Sequence, residues 1–208
     1  MATASEISVG VSHELAITAT KVGFEPKDFA TLAHSEDKMA GILGVLRGTH
    51  EVKPIDHVID LGSPAKLPFD GAVLEVHRGE GVVKLERRGD DLYLDGKPLN
   101  LFLSRKQKNG GVIGGYDLRK ELEKRGNNVS AKVLDHLVAH PELWPESWKK
   151  DAQGNTVYVF FWDDIFRYPA SVDLCVRYAS WDEGTVVSVR RWLGSNWHGS
   201  DPAASSAS

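Results

Sequence analysis

The sequence predicts an α+β fold: an N-terminal helical hairpin, a small central β region, a helical segment and a C-terminal three-stranded antiparallel meander. Three observations predict it. Apolar residues recur at helical spacing between Pro26 and Gly48, and again between Gly115 and His140. Short apolar runs split by Gly and Asp turns fill the stretch from Val73 to Leu94. Three segments rich in aromatic and β-branched residues, Val157–Arg167, Val172–Trp181 and Thr185–Leu193, are joined by short links near the C-terminus.

Taken in order, Ile7, Val9 and Val11 alternate with small polar residues, which predicts a strand. Pro26 stands where a first helical residue should be, because its missing N–H costs nothing there. Phe29, Leu32 and Ala33 follow at helical spacing. Ser35 is an N-cap, and Glu36 and Asp37 suit the positive end of a helix dipole. Met39, Ile42, Leu43 and Leu46 then form an apolar seam that Gly48 ends. From Lys53 to Asp70 the prolines, with one short apolar run around Val58–Ile59, predict a strand or extended connector rather than a helix.

Val73–Val76, Val82–Leu85 and Leu92–Leu94 read as strands, and Asp95-Gly96 as a further turn. Leu99, Phe102 and Leu103 predict a short helix over Leu99–Gln107. Gly114-Gly115 opens a helix that ends at Gly126, and Asn128 caps another in which Val133, Leu134, Leu137 and Val138 share a face. Pro141 stops that helix. The final Pro, Ala and Ser residues, 202–208, lack the apolar mass to fold and predict a disordered tail. The expected divisions are therefore 1–52, 53–150, 151–201 and the tail 202–208, within what could be one compact unit.

The bulk composition excludes several classes. The 208 residues are 41% hydrophobic and 26% charged, which is globular rather than disordered. Cys175, a lone cysteine, cannot form an internal disulfide, so a reducing, cytoplasmic compartment is expected. The first residues lack the pattern of a secretory signal, and no apolar run is long enough for a membrane helix. Net charge is −4, yet residues 97–125 carry eight Lys/Arg against three Asp/Glu. That basic island is either a solvated helix face or a surface for an anionic partner.

Few residues point to chemistry. The loop Gly110–Gly115 matches neither phosphate-binding glycine pattern and reads as a turn. His136 and His140 stand four apart on one helix, a spacing that suits a metal, but a third ligand has to come from elsewhere. They lie off the apolar face and read as solvated surface histidines, so no cofactor is assigned. His57 and Asp60 flank Val58–Ile59 as an acid–base pair without a nucleophile motif, so no catalytic residue is assigned either. Asp163-Asp164 falls inside a strand, where a bulge or strand end is expected.

All six tryptophans lie between Trp144 and Trp197. Either they build a core, or Trp181, Trp192 and Trp197, interleaved with Arg167, Arg177, Arg190 and Arg191, form an exposed aromatic platform. Trp197 is the candidate for exposure, because Gly194, Ser195, Gly199 and Ser200 around it give little cover, whereas Trp162 is expected in the core.

The stretches VLDHLVAHPELWPESWK (Val133 to Lys149), VFFWDDIFR (Val159 to Arg167), VRYASWD (Val176 to Asp182) and RWLGSNWHGSDPAA (Arg191 to Ala204), with KPIDHVID (Lys53 to Asp60) upstream, carry a resemblance. The chain resembles a family of short hypothetical proteins encoded by small-genome candidate bacterial lineages. No activity is established for that family, so the resemblance implies a bacterial protein whose helices and meander form one unit, and it supplies no site residues.

The expected function is a non-enzymatic binding or interaction protein of unknown ligand, its partner an unidentified protein or nucleic acid. Its surface would combine Trp181, Trp192, Trp197, Arg177 and Arg190 with the basic residues Lys106, Lys108 and Arg119. The alternatives are a nucleic-acid partner at residues 97–125, or a small hydrolase or metal-dependent enzyme using His57, Asp60, His136 or His140. No membrane partner is expected.

Overall fold

A computed structural model of the chain describes residues 9–51 and 56–207. The chain divides into two units, residues 1–55 and 56–208.

The first unit contains α1 (Val9–Lys21), α2 (Pro26–Ala33) and α3 (Glu36–Leu46). The strand expected at Val9 and Val11 is instead helix α1, and Ile7 lies outside the described residues. The alternation there was carried by Gly, Ser and Val, which impose no period once a helix can form. Local signals set the next two helices. Glu25 and Asp28 form a reciprocal capping box at α2, and Ser35 Oγ accepts from Lys38 N at α3. Gly48 takes φ of 70°, the left-handed turn that ends the helix. The seam residues Met39, Ile42, Leu43 and Leu46 remain exposed.

The second unit is built on a large mixed sheet, so the α+β class holds. Its strands are β1 (His57–Asp60), β2 (Val73–His77), β3 (Val82–Arg88), β4 (Asp91–Leu94), β5 (Lys97–Phe102), β7 (Val159–Arg167), β8 (Leu174–Asp182), β9 (Thr185–Trp192) and β11 (Ala203–Ser206). They run in the order β1-β3-β4-β5-β11-β7-β8-β9, with β2 also paired to β7. A small second ladder joins β6 (Ile113–Gly114) to β10 (Asn196–Trp197). Helices α4 (Gly115–Arg125) and α5 (Ala131–Ala139) lie between β6 and β7 in the chain. Among the described residues, no helix is long and apolar enough to cross a membrane.

Strands β7, β8 and β9 pair antiparallel in succession, but as part of this nine-stranded sheet. Strand β7 is its centre. Val159 and Phe161 enter one apolar cluster, while Phe160 and Trp162 enter the other, as the alternation of a strand requires. The register against β8 jumps between Phe161 and Ile165, and this irregularity contains Asp163-Asp164.

Two segments depart from expectation for one reason, which is tertiary pairing. Lys97–Phe102 is strand β5, and only Arg105–Gln107 forms a short 3-10 turn. Asp95 and Gly96 both adopt positive φ (50° and 74°), the geometry of a tight hairpin, so β5 returns along β4. The tail is not disordered in residues 203–206. Strand β11 inserts between β5, antiparallel, and β7, in parallel, with Ala203, Ala204 and Ser205 buried. Small side chains suit a strand enclosed by neighbours on both edges, and composition alone cannot reveal such a slot.

The glycine loop also has a packing role. A Cβ on Gly115 would collide with the Trp197 ring and the Leu193 carbonyl. Gly115 thus lets the start of α4 close onto the aromatic cluster.

Candidate metal centre

Helix α5 places the candidate site. Ser130 is its N-cap, accepting from Lys132 N, so the cap stands two residues beyond the Asn128 expected from sequence. Val133, Leu134 and Leu137 are fully buried in the larger apolar cluster. That face fixes the helix rotation, and His136 and His140, one turn apart, fall on a flank. The flank is not open. Edge strand β1 packs against α5 and brings His57 to it, so all three histidines are half-buried.

The three rings converge. His57 Nδ1 lies 3.0 Å from His136 Nε2. Ring centroids are 5.2 Å apart for His57 and His136, 4.8 Å for His57 and His140, and 4.5 Å for His136 and His140. One ligand nitrogen from each residue falls within 4.8 Å of the other two. Burial, followed by the neighbouring His140 and His57, holds the His136 pKa below its ordinary value. A neutral imidazole is the form that ligates a metal.

Glu142 supports the cluster from behind. Its Oε1 is 3.2 Å from His140 Nδ1, so that nitrogen donates to the carboxylate and Nε2 keeps its lone pair. Pro141 begins a 3-10 turn, Pro141–Leu143, that carries Glu142. Arg87 on β3 fixes the turn, donating from Nη1 to the carbonyls of Glu142 (2.7 Å) and Trp144 (3.1 Å).

Two buried carboxylates anchor the helix itself. Asp164 accepts from Ser130 Oγ (2.7 Å), Ala131 N (2.6 Å) and His77 Nδ1 (2.6 Å), which ties the N-terminus of α5 to β7 and β2. The bond to Asp164, more than the opposing burial, raises the His77 pKa. Asp135, next to His136, accepts from Arg177 Nη1 (2.6 Å) and Lys66 N (2.7 Å). Arg177 also donates to the Lys66 carbonyl and to Ser188 Oγ, so β8, β9 and the β1–β2 connection all hold α5. A metal ligand is useful only if its backbone is fixed, and these contacts fix it.

Comparison with known proteins is silent. No protein-family model, curated protein or solved structure matches this chain.

The residues singled out from sequence have varied fates. His136 and His140 meet a third histidine instead of standing free in solvent. His57 is not paired with Asp60. Three positions along a strand put two side chains on opposite faces, and the Asp60 carboxylate accepts from Gly62 N instead. Trp197 is fully buried, with its ring 4.2 Å from Phe160 and 5.0 Å from Trp162, because β10 folds it under α4. Trp162 is in the core.

Trp181 is half-buried, with Lys149 Nζ over its ring at 3.8 Å. Trp192 is half-buried near Phe69, over which Arg190 lies at 4.6 Å. Arg177 is buried in its ion pair, so it belongs to no exposed platform. Lys106 and Lys108 are exposed, and Arg119 is ion-paired to Glu123 at 2.9 Å. Cys175 is buried, its thiol pushed up to about 11 by desolvation. The functional residue that sequence reasoning assigned elsewhere is His57, which stands 79 positions from His136. No local spacing links the two.

Proposed function

We propose that this protein binds a divalent transition-metal ion through His57, His136 and His140. The convergence of three imidazole nitrogens within 4.8 Å, on a helix and a strand held by buried ion pairs, carries this reading. Three nitrogen donors at tetrahedral sites around an ion lie a little over 3 Å apart, given metal–nitrogen bonds of about 2.0–2.1 Å. The separation of 3.0 Å between His57 and His136 is already close to that. Imidazole donors suit zinc, copper, iron and nickel. Zinc fits best here, because it accepts a tetrahedral set with no electronic preference of its own. The metal-dependent reading of the sequence thus gains the third ligand it lacked, whereas the aromatic-platform reading loses Trp197 and Arg177 to the core. Zinc titration of untagged protein against a chromophoric chelator tests the proposal. One equivalent should bind, and the alanine variants of His57, His136 and His140 should each lose it. Zinc binding that is unaffected by all three variants would remove the reading.

A nucleic-acid partner at residues 97–125 is supported by a separate observation. Lys106 and Lys108 are exposed and form no ion pair among the described residues. Lys108 and Lys150 both line a cleft of about 1110 Å³, whose wall also carries Asp151. Gel shifts at low salt, with Lys106 and Lys108 replaced together by Gln, test this. The double variant should flatten the salt dependence by about one to two phosphate contacts.

A further inference from the structure

The three histidines leave a ligand short. A tetrahedral ion needs four donors, and closed structural sites supply all four from protein. Among the described residues, the clustered His, Cys, Asp and Glu donors end at His57, His136 and His140. Glu142 is spent on the outer nitrogen of His140. The charge balance also favours an external ligand. Three neutral imidazoles leave both positive charges on the ion, since none of them brings an anion to it.

A recess of about 240 Å³ is bordered by one of the three histidines, His136, together with Asp60, Ser63, Lys132 and Asp135. Lys132 is one helical turn before His136, so both project to the same flank of α5. Its ammonium forms no ion pair among the described residues. Of the two carboxylates, Asp135 is neutralised by Arg177, while Asp60 accepts from Gly62 N and keeps a charge that offsets that of Lys132, which leaves the charge of the ion itself as the excess. With a divalent ion in place, the surroundings of the recess are therefore net positive. The recess is smaller than a drug-sized pocket of about 300–1,000 Å³, so it suits a small group.

We infer that a metal held by the three histidines keeps one exchangeable position for a small oxyanion, phosphate-like or carboxylate-like, and that Lys132 supplies a second positive charge to it. This rests on the metal-binding reading above. Water or hydroxide fills the position when no such anion is present, which makes it a centre of the open, ligand-exchanging kind.

The test uses the full chain loaded with cobalt(II), whose visible bands report coordination. Azide, inorganic phosphate and acetate are each titrated into the loaded protein. The inference expects saturable band changes, with phosphate bound more tightly than acetate. It also expects Lys132→Gln to weaken phosphate about fivefold, the size of one partly exposed charge contact, with cobalt affinity unchanged. Bands that ignore all three anions at tens of millimolar would mean a closed site and overturn the inference, while leaving metal binding intact. Anion binding that Lys132→Gln does not weaken would overturn the role of Lys132. Failure to take up cobalt at all would overturn the metal reading itself, and this inference with it.

Discussion

Replacing Arg177 by Met should destabilise the second unit severely, and replacing Arg177 and Asp135 together should not. The guanidinium makes three contacts: to Asp135 at 2.6 Å, to the Lys66 carbonyl at 3.0 Å and to Ser188 Oγ at 2.9 Å. The two side chains are only 7% and 9% exposed, so water cannot replace what is lost. In Arg177→Met, Asp135 keeps one donor, Lys66 N, and remains a buried charge without a counterion. Breaking one side of a buried pair costs about 3–5 kcal/mol, against total domain stabilities of about 5–15 kcal/mol. With a urea slope of about 2 kcal/mol/M, the midpoint should fall by about 2 M. Arg177→Met with Asp135→Leu removes both charges and should recover most of the loss. Urea unfolding followed by far-ultraviolet circular dichroism measures all of this. A single variant that loses less than about 1 kcal/mol, the worth of an exposed pair, would refute the argument. So would a double variant no more stable than the single one.

Three further outcomes follow from particular contacts. Ending the chain after Asp201 removes β11 from between β5 and β7, and the cooperative thermal transition should be lost; an unchanged melting curve would contradict the strand's place in the sheet. Asp163 is raised to about 6, first by burial and then by the charge of Asp164. A carboxyl raised above its unfolded value of about 3.9 contributes stability below that value and loses it as pH rises through about 6. Asp163→Asn should thus be more stable than wild type by about 1–3 kcal/mol at pH 7.5, with the advantage gone below about pH 4. Glu142→Gln should weaken zinc about tenfold with little change in the unfolding midpoint, since the carboxylate orients His140 and is itself largely exposed.

Much of the fold is written in local signals. Ser35 and Gly48 bracket α3, and Gly126 ends α4, because caps and left-handed turns act within a few residues. The aromatic run of β7 marks a strand buried on both faces. What the sequence hides is decided by distant partners. The small residues of β11 carry no apolar signal of their own, and their burial depends on two strands that are remote in the chain. Leu99–Phe102 has helical spacing, but the positive-φ turn at Asp95-Gly96 commits it to pairing with β4. Trp197 sits among turn residues that suggest exposure, yet Gly115, eighty-two positions earlier, is the space into which its ring packs.

The candidate site divides in the same way. The spacing of His136 and His140 is visible on a helical wheel, as is their position off the apolar face. Their half-burial is not visible, because it comes from β1. The role of His57 is hidden for the same reason. In the sequence its nearest acidic neighbours suggest an acid–base pair, whereas the strand's alternation turns Asp60 away and leaves His57 facing α5.

The most direct test of the metal centre is the amount of metal in protein that has never met a chelator or a histidine tag. Elemental analysis of untagged wild type and of His57→Ala, both passed through a desalting column with excess zinc, reads it. His57 is the informative position, because only the fold brings it to the other two ligands. The account predicts about one zinc per chain in the wild type, as a single three-histidine site requires, and far less than one in the variant. A wild type with no retained metal, or a variant that holds as much as the wild type, would contradict it.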